Sequence, residues 1–194
     1  MKTKLPLLVT IGLFVLMFGL GSAAFPGFFA LQTFYYLLID NAFLIIMAIG
    51  MTFVIISGGI DLSVGSVLAL TTMVTSSLIE KQHLHPLIVI PLALLMGASF
   101  GAFMGYLIQT FKIAPFIVTL GGLYLARGLC YLVSIDTIAI THPFYTFLSQ
   151  YQIKIIGNNF ISINVILAII MTIVGLYLAH YTKFGRTVYA IGGN

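Results

Sequence analysis

The sequence contains very little charge. Only 6% of its 194 residues are charged, whereas soluble domains carry about 25%. So few charges cannot cover the surface of a soluble fold, and most of that surface must therefore face lipid. Tryptophan is missing altogether, and the single cysteine, Cys130, excludes an internal disulfide framework. Cys130 lies in an apolar run, where we expect it to be a small core residue.

Signals for an enzyme are also scarce. There is no HExxH motif and no GxxxxGK[ST] loop, so the sequence predicts neither a zinc protease nor an ATP-hydrolysing site. His83 and His85 are only a weak metal pair, and we expect a solvated loop there. The net charge of +4 is made of scattered cations without a basic cluster, which does not indicate a nucleic-acid partner. We therefore predict a protein that is not an enzyme and holds no metal or cofactor.

Long apolar runs are abundant, and the mean hydropathy is +1.18. Runs such as "LLVTIGLFVLMFGLG" do not alternate between apolar and polar residues, as strands of a membrane barrel would. A helix needs about 20 apolar residues to cross a bilayer. We predict an all-α, polytopic transmembrane helical bundle in one transmembrane domain, residues 1–194, with about six spans. The predicted spans are Leu5–Leu20, Asn41–Ser57, Leu62–Ile79, Pro86–Phe111, Ala114–Val133 and Ile161–Tyr181.

The positions of lysine and arginine predict the orientation. With six full crossings and a cytoplasmic N-terminus, five cations lie inside and two outside. If the second and third spans are merged into one broken crossing, four cations lie inside and three outside. Six crossings give the larger excess of cations inside and are therefore favoured. The first span resembles a signal peptide in its flanks, yet we expect it to be retained. The cations predicted inside are Lys2, Lys4, Lys112, Lys183 and Arg186, and those outside are Lys81 and Lys154.

The stretch "SGGIDLSVGS" interrupts two strongly apolar runs. Its two glycines break the preceding helix, and Asp61 or Ser63 then caps the next one. That account needs no function. A carboxylate near the membrane also marks polar pathways, and transporters place broken helices where substrates pass. Both interpretations stay open, and the candidate substrate-path residues are Ser57, Gly58, Gly59, Asp61, Ser63 and Ser66.

Three glycines recur every four residues in the fourth predicted span. Gly97, Gly101 and Gly105 therefore share one helix face that carries no side chains. Such small-xxx-small spacing is typical of close helix packing in lipid. We predict that this face packs against another helix.

Arg127 is the only cation inside a predicted span. It lies six residues from the outer end, or about 9 Å at 1.5 Å per residue. From there we expect its side chain to reach the membrane surface. The functional alternatives are a substrate contact or a pair with a buried acid.

Three blocks carry a resemblance to a known family. "FVIISGGIDLSVGSVLAL", "GAFMGYLIQTFKIAPFIVTLGGLYLARGL" and "KFGRTVYAIGGN" resemble, in this order, the permease subunits of bacterial sugar ABC importers of the ribose, xylose and galactose group. "THPFY" and the N-terminal half are most similar to permeases of galactofuranose importers. The resemblance implies a multi-pass permease subunit in the bacterial inner membrane. It implies as partners a second permease subunit (identical or paralogous), cytoplasmic ATP-binding subunits and a periplasmic sugar-binding protein.

The last block looks like the start of the family's coupling segment to the ATPase. Positive-inside anchoring alone would also explain its two cations. Family chains are longer, so we expect this chain to be a fragment. An ion-coupled secondary transporter of small polar solutes is the alternative function, because it needs no ATPase. The residues that the resemblance implies for coupling are Lys183, Phe184, Gly185, Arg186, Tyr189, Gly192, Gly193 and Asn194.

Overall fold

The computed structural model describes residues 5–155, 157 and 159–193. Lys2, Lys4 and Asn194, which entered the predictions above, lie outside the described residues. Within them the chain forms eight helices and one short β-hairpin. The elements are α1 (Leu5–Ala24), α2 (Leu31–Ile56), α3 (Val64–Glu80), α4 (Pro86–Phe111), α5 (Pro115–Val133), α6 (Pro143–Gln150), β1 (Gln152–Lys154), β2 (Phe160–Ser162), α7 (Ile163–Tyr181) and α8 (Lys183–Gly192).

The predicted polytopic helical bundle is confirmed. Helices α1, α2, α4, α5 and α7 are each long and apolar enough to cross a membrane, and α3 is a shorter apolar helix. The predicted bounds of Pro86–Phe111 match α4 at both ends. The predicted start of the second span at Asn41 is wrong, because α2 begins at Leu31 and carries Asp40 on its exposed surface. A helix satisfies its own backbone hydrogen bonds, so one carboxylate does not end it.

The helices pack in two groups. Helix α3 lies against α4 and α5, while α2 lies against α7 and α8. In the second group Gly175 of α7 lets α2 approach, because a Cβ there would press on Ile49. Buried positions are mostly small or branched apolar residues, including Val89, Ala126 and Ala168. Close approach through small residues is how helices associate in lipid, where apolar burial by itself gives little drive.

The bundle has two distinct ends. The histidine end holds the α3–α4 loop, residues 81–85, and the segment before α6. Glu80 fixes this end, because its carboxylate accepts hydrogen bonds from Thr141 N (2.6 Å), Thr141 Oγ1 (2.9 Å) and His142 N (3.2 Å). The glycine end holds residues 57–63, the α4–α5 loop at Lys112, and α8.

Helix α5 stops well below the histidine end. After Val133 the chain continues without a helix, and Ile138 lines a groove on the side of α3 together with Met73. Only at Thr141 does it reach Glu80, the last residue of α3. Between α5 and β2 the chain is therefore first a segment that runs along α3, and then α6 and the hairpin.

Candidate functional site

The predicted helix break between α2 and α3 is confirmed in its geometry. Gly59 N donates to Val54 O (2.9 Å) and Gly58 N donates to Ile55 O (3.0 Å), which is the paired bonding of a Schellman motif. Gly58 has φ of +77°, in the left-handed region where only glycine is relaxed. The Ser57 hydroxyl also donates to Val54 O, at 2.8 Å. The carbonyl groups of Phe53, Val54 and Ile55 near the end of α2 are thus satisfied inside the turn.

Of the two acceptors predicted at the entry into α3, Asp61 and Ser63, the structure uses Asp61. Its Oδ1 accepts from Ser63 N (2.8 Å) and from Ser63 Oγ (2.6 Å). The predicted cap by Ser63 is wrong, since its side chain accepts no bond from the helix. Ser63 has αR backbone angles (φ −81°, ψ −19°), whereas capping acceptors are extended. Its fully buried hydroxyl is instead committed to Asp61.

Helix α5 supports the other side of this turn. The Thr119 hydroxyl donates to Ile60 O at 3.2 Å and to Pro115 O at 2.9 Å. A Cβ on Gly122 would lie 3.4 Å from Ser63 Cβ, which is near ordinary contact, and 2.5 Å from Met104 Sδ, so α5 lies directly against Ser63 here. Residues 57–63 are therefore held by side chains of a helix that enters the bundle much later in sequence.

Helix α8 meets the same turn, which brings the two predicted functional segments together. A Cβ at Gly192 would overlap the carbonyl oxygen of Ile56 and would lie 3.3 Å from Ser57 Cα. Nearer the start of α8, the Phe184 ring lies 5.3 Å from the Phe53 ring of α2. A displacement of α8 would therefore act directly on the backbone at the end of α2.

A tight turn aims α8 back at the bundle. Thr182 Oγ1 accepts from Gly185 N (3.3 Å) and caps the helix. A Cβ at Gly185 would overlap the carbonyl oxygen of Ala179, so only glycine fits between α7 and α8. Lys183 and Arg186 are exposed and line a shallow surface groove. The remaining predicted coupling residues follow in α8 and its C-cap: Tyr189, whose ring is 6.4 Å from that of His180, and Gly193, whose N–H donates to Tyr189 O.

The glycine face of α4 is mostly uncovered within the described chain. A Cβ on Gly97 would meet Thr71 at 3.9 Å, but nothing described lies within 4 Å of one on Gly101 or Gly105. The predicted packing thus stays a prediction for a contact outside these residues.

The same stretch of α4 reads "GASFG", which matches the GxSxG pattern of serine hydrolases. Ser99 lies inside α4, however, with its hydroxyl donating to Met96 O, and not at a strand-to-helix turn.

Arg127 lies midway between the two ends of the bundle, and the expectation that its side chain reaches the membrane surface stays a prediction. Its Nε donates to Ser66 Oγ at 3.4 Å. From Ser66 the chain climbs 14 residues to Glu80, or about 21 Å, and Arg127 is about 18 Å above Pro115. Helix α5 ends below the last residue of α3, since Ile138, which follows α5, still lies beside Met73.

A second polar surface lies between α3 and α4. A groove of about 410 Å³ is lined by the hydroxyl-bearing residues Thr71, Thr75 and Tyr145, together with small and apolar residues of α4 such as Gly97. Burial raises the pKa of the Tyr145 hydroxyl. A phenol is protonated at neutral pH without any shift, so this hydroxyl can donate a hydrogen bond into the groove.

The turn at Gly58 makes a specific prediction. Replacing Gly58 by alanine places a Cβ in the left-handed region, at a cost of about 1–2 kcal/mol. We expect a lower melting temperature of the detergent-purified protein. We expect a smaller fall in melting temperature for Gly58→Asn, because asparagine tolerates this conformation. Gly50→Ala is the matched control, since a Cβ there meets nothing within 4 Å. Equal melting temperatures for all three variants would show that the turn is not strained by a side chain.

Comparison with known proteins adds an independent finding. Residues 33–194 match the family described as "Branched-chain amino acid transport system / permease component". Over 193 residues the chain is 50% identical to the inner membrane ABC transporter permease protein YjfF of Escherichia coli K12, covering 100% of this chain and 58% of that protein.

Two further relatives carry sugar names. The fructose import permease protein FruG of Bifidobacterium longum is 40% identical over 200 residues, which is 100% of this chain and 58% of FruG. The ribose import permease protein RbsC of Escherichia coli K12 is 34% identical over 170 residues, or 87% of this chain and 52% of RbsC. The chain thus spans somewhat more than half the length of these relatives. No solved structure matches the chain.

Proposed function

The chain belongs to the permease-component family matched by residues 33–194, and from this premise we propose that it is a membrane-spanning permease subunit of an ATP-driven monosaccharide importer. The single observation that carries the proposal is the 50% identity with an ABC transporter permease over the whole chain. The family description names amino acids, whereas two of the relatives reported above are named for fructose and ribose. We therefore favour a sugar as the substrate.

We propose that the glycine end faces the cytoplasm. Among the described residues it carries three cations, Lys112, Lys183 and Arg186, while the histidine end carries Lys81 and Lys154. The positive-inside rule supports this orientation. A periplasmic sugar-binding protein would then meet the histidine end, and cytoplasmic ATP-binding subunits would meet α8.

The proposed mechanism has no chemical step in this chain. ATP-binding subunits move α8, and α8 pushes on the end of α2 through the contact between Gly192 and Ile56. Residues 57–66, held by Asp61 and by Thr119, then change position relative to α5 and open or close the path on the cytoplasmic side. A second permease subunit, identical or paralogous, completes the path. Galactofuranose is the first sugar we would test, because of the resemblance at "THPFY".

Uptake measurements test the proposal against the ion-coupled alternative. The permease is produced with a candidate ATP-binding subunit and a candidate sugar-binding protein from the same genome, and uptake of labelled galactofuranose, D-ribose, D-fructose and D-allose is followed. We expect uptake of at least one sugar that persists in the presence of an uncoupler and stops when ATP is depleted. Uptake that collapses with the ion gradient, without a co-purifying ATP-binding subunit, would establish the alternative.

The exposed cations of α8 give a second prediction. Both charges are reversed in Lys183→Glu with Arg186→Glu, which removes two positive charges from the proposed interface and adds two negative ones. We expect this to cut co-purification of the ATP-binding subunit and sugar uptake by about tenfold, since interfaces depend on charge complementarity. Lys81→Glu at the histidine end is the matched control and should leave both unchanged. Full co-purification of the double variant would remove this face of α8 from the proposed ATPase contact.

A further inference from the structure

Arg127 is an exposed cation midway between the two ends of the bundle, and it has few partners. Within the part of the chain that the structure describes, the bond from Nε to Ser66 Oγ is the only one that its side chain makes. None of the four acidic residues of the sequence pairs with it. A guanidinium group has five N–H donors, so four remain for another molecule. Charged residues at such a depth usually face a polar cavity or a substrate path.

Two tyrosines share the face of α5 that carries Arg127. Tyr124 lies one turn before it and Tyr131 one turn after it, at spacings of three and four residues, which place all three side chains on one side of the helix. The two tyrosines are 67% and 65% exposed. Tyrosine normally occupies the membrane interfaces, where its hydroxyl reaches water. At this depth the two phenol groups and the guanidinium form a polar stripe, which we call the Arg127 stripe.

The rest of the exposed surface of α5 is different. Leu125 and Leu132, about 80–100° around the helix from Tyr124, are 50% and 83% exposed and suit contact with lipid. The opposite face, with Ala126 and Gly122, is buried against the neighbouring helices. The helix thus has a packed face, an apolar face and a polar stripe. The middle residue of the stripe, Arg127, is bonded to Ser66, which is itself one of the predicted path residues.

We propose that the Arg127 stripe is a sugar-contacting surface of the translocation path, with Arg127 as the residue that binds hydroxyl oxygens of a neutral monosaccharide. The inference rests on the proposed function and adds to it a specific contact at mid-depth. The planar guanidinium donates to two neighbouring hydroxyl oxygens at once, which an ammonium group does not do with the same geometry. The tyrosine rings offer an apolar face to sugar carbons and a hydroxyl group at the edge. Ser66 fixes the orientation of the guanidinium through Nε.

The experiment uses the permease as its own gene encodes it, together with its ATP-binding subunit and binding protein. Uptake of labelled D-ribose, D-fructose, D-allose and galactofuranose is measured for Arg127→Ala, Arg127→Lys and Tyr131→Phe. Leu132→Ala is the matched control, because it alters the apolar face of the same helix at similar depth. Complex yield and ATP hydrolysis stimulated by the binding protein are measured in parallel.

We expect Arg127→Ala to assemble normally and to keep stimulated ATP hydrolysis within about twofold, while sugar uptake falls about 10- to 100-fold, in line with losing hydrogen bonds to substrate hydroxyls. Arg127→Lys should change the relative uptake rates of the sugars, since its donors lack the planar fork. Tyr131→Phe should show a smaller effect of the same kind, and Leu132→Ala should behave as the unaltered protein does.

Two results would overturn the inference while leaving the proposed function intact. One is unchanged uptake and unchanged sugar preference in Arg127→Ala. The other is loss of the assembled complex in Arg127→Ala with full rescue by Arg127→Lys, which would assign Arg127 to an ion pair with a carboxylate of the second permease subunit or of another segment. If the unaltered permease takes up none of the sugars, the proposed function fails and this contact fails with it.

Discussion

Replacing Gly192 by valine is expected to uncouple ATP hydrolysis from sugar uptake. A Cβ at this position would overlap the carbonyl oxygen of Ile56, and the backbone there cannot move aside because it belongs to the final turn of α2. The added side chain must therefore shift α8 away from residues 57–63. Overpacking of this kind costs about 1–3 kcal/mol, which corresponds to a fall in coupled uptake of about 5- to 150-fold.

The measurement compares ATP hydrolysis with sugar uptake in the same reconstituted complex. We expect hydrolysis to continue in Gly192→Val, since the exposed cations of α8 are unchanged, while uptake is lost. Gly50→Val in α2 is the control, because a Cβ there meets no described atom within 4 Å. If Gly192→Val transports normally, movement of α8 does not reach the path through Ile56, and the proposed route of coupling is wrong.

Local sequence signals were enough to place most helices. Helix α4 was predicted at both ends because Pro86 occupies its first turn and Lys112, in a left-handed conformation (φ 56°), precedes Pro115 of the next helix. The break after α2 was predicted for a similar reason, since the Schellman turn uses glycines adjacent in sequence. The start of α2 was missed because a hydropathy argument counts only the unfavourable transfer of Asp40 into lipid. A helix can nevertheless continue through Asp40 and carry its side chain on the surface.

Long-range contacts were beyond the sequence. Nothing in "KFGRTVYAIGGN" shows that α8 folds back onto Ile56, because that depends on the tight turn at Gly185 against Ala179. The place of Arg127 beside the first turn of α3 follows from the packing of α5 on α3, seen in the bond to Ser66. The threonine in "PFIVTLGG" was the available signal for the support that Thr119 gives to the break, since a hydroxyl in an apolar helix needs a partner.

Asp61 offers a way to separate a structural acceptor from a charge that the path requires. Its Oδ1 accepts two bonds from Ser63, at 2.8 and 2.6 Å, and holds the entry into α3. Asp61→Ala removes both and leaves the buried hydroxyl of Ser63 without its acceptor, at a cost of about 2 kcal/mol for hydrogen bonds to a charged group. We expect a lower melting temperature and a several-fold loss of uptake.

Asp61→Asn is the discriminating variant, because it keeps an oxygen at the Oδ1 position and removes only the charge. Since Asp61 has no cation among its described partners and its bonds go to Ser63, we expect this variant to retain most of the stability and most of the uptake. Ser63→Ala, which deletes the donor hydroxyl, should then resemble a mild form of Asp61→Ala in the same assays. If Asp61→Asn instead folds normally and fails to transport, the charge itself serves the path, and the substrate-path interpretation of residues 57–66 gains over a purely structural turn.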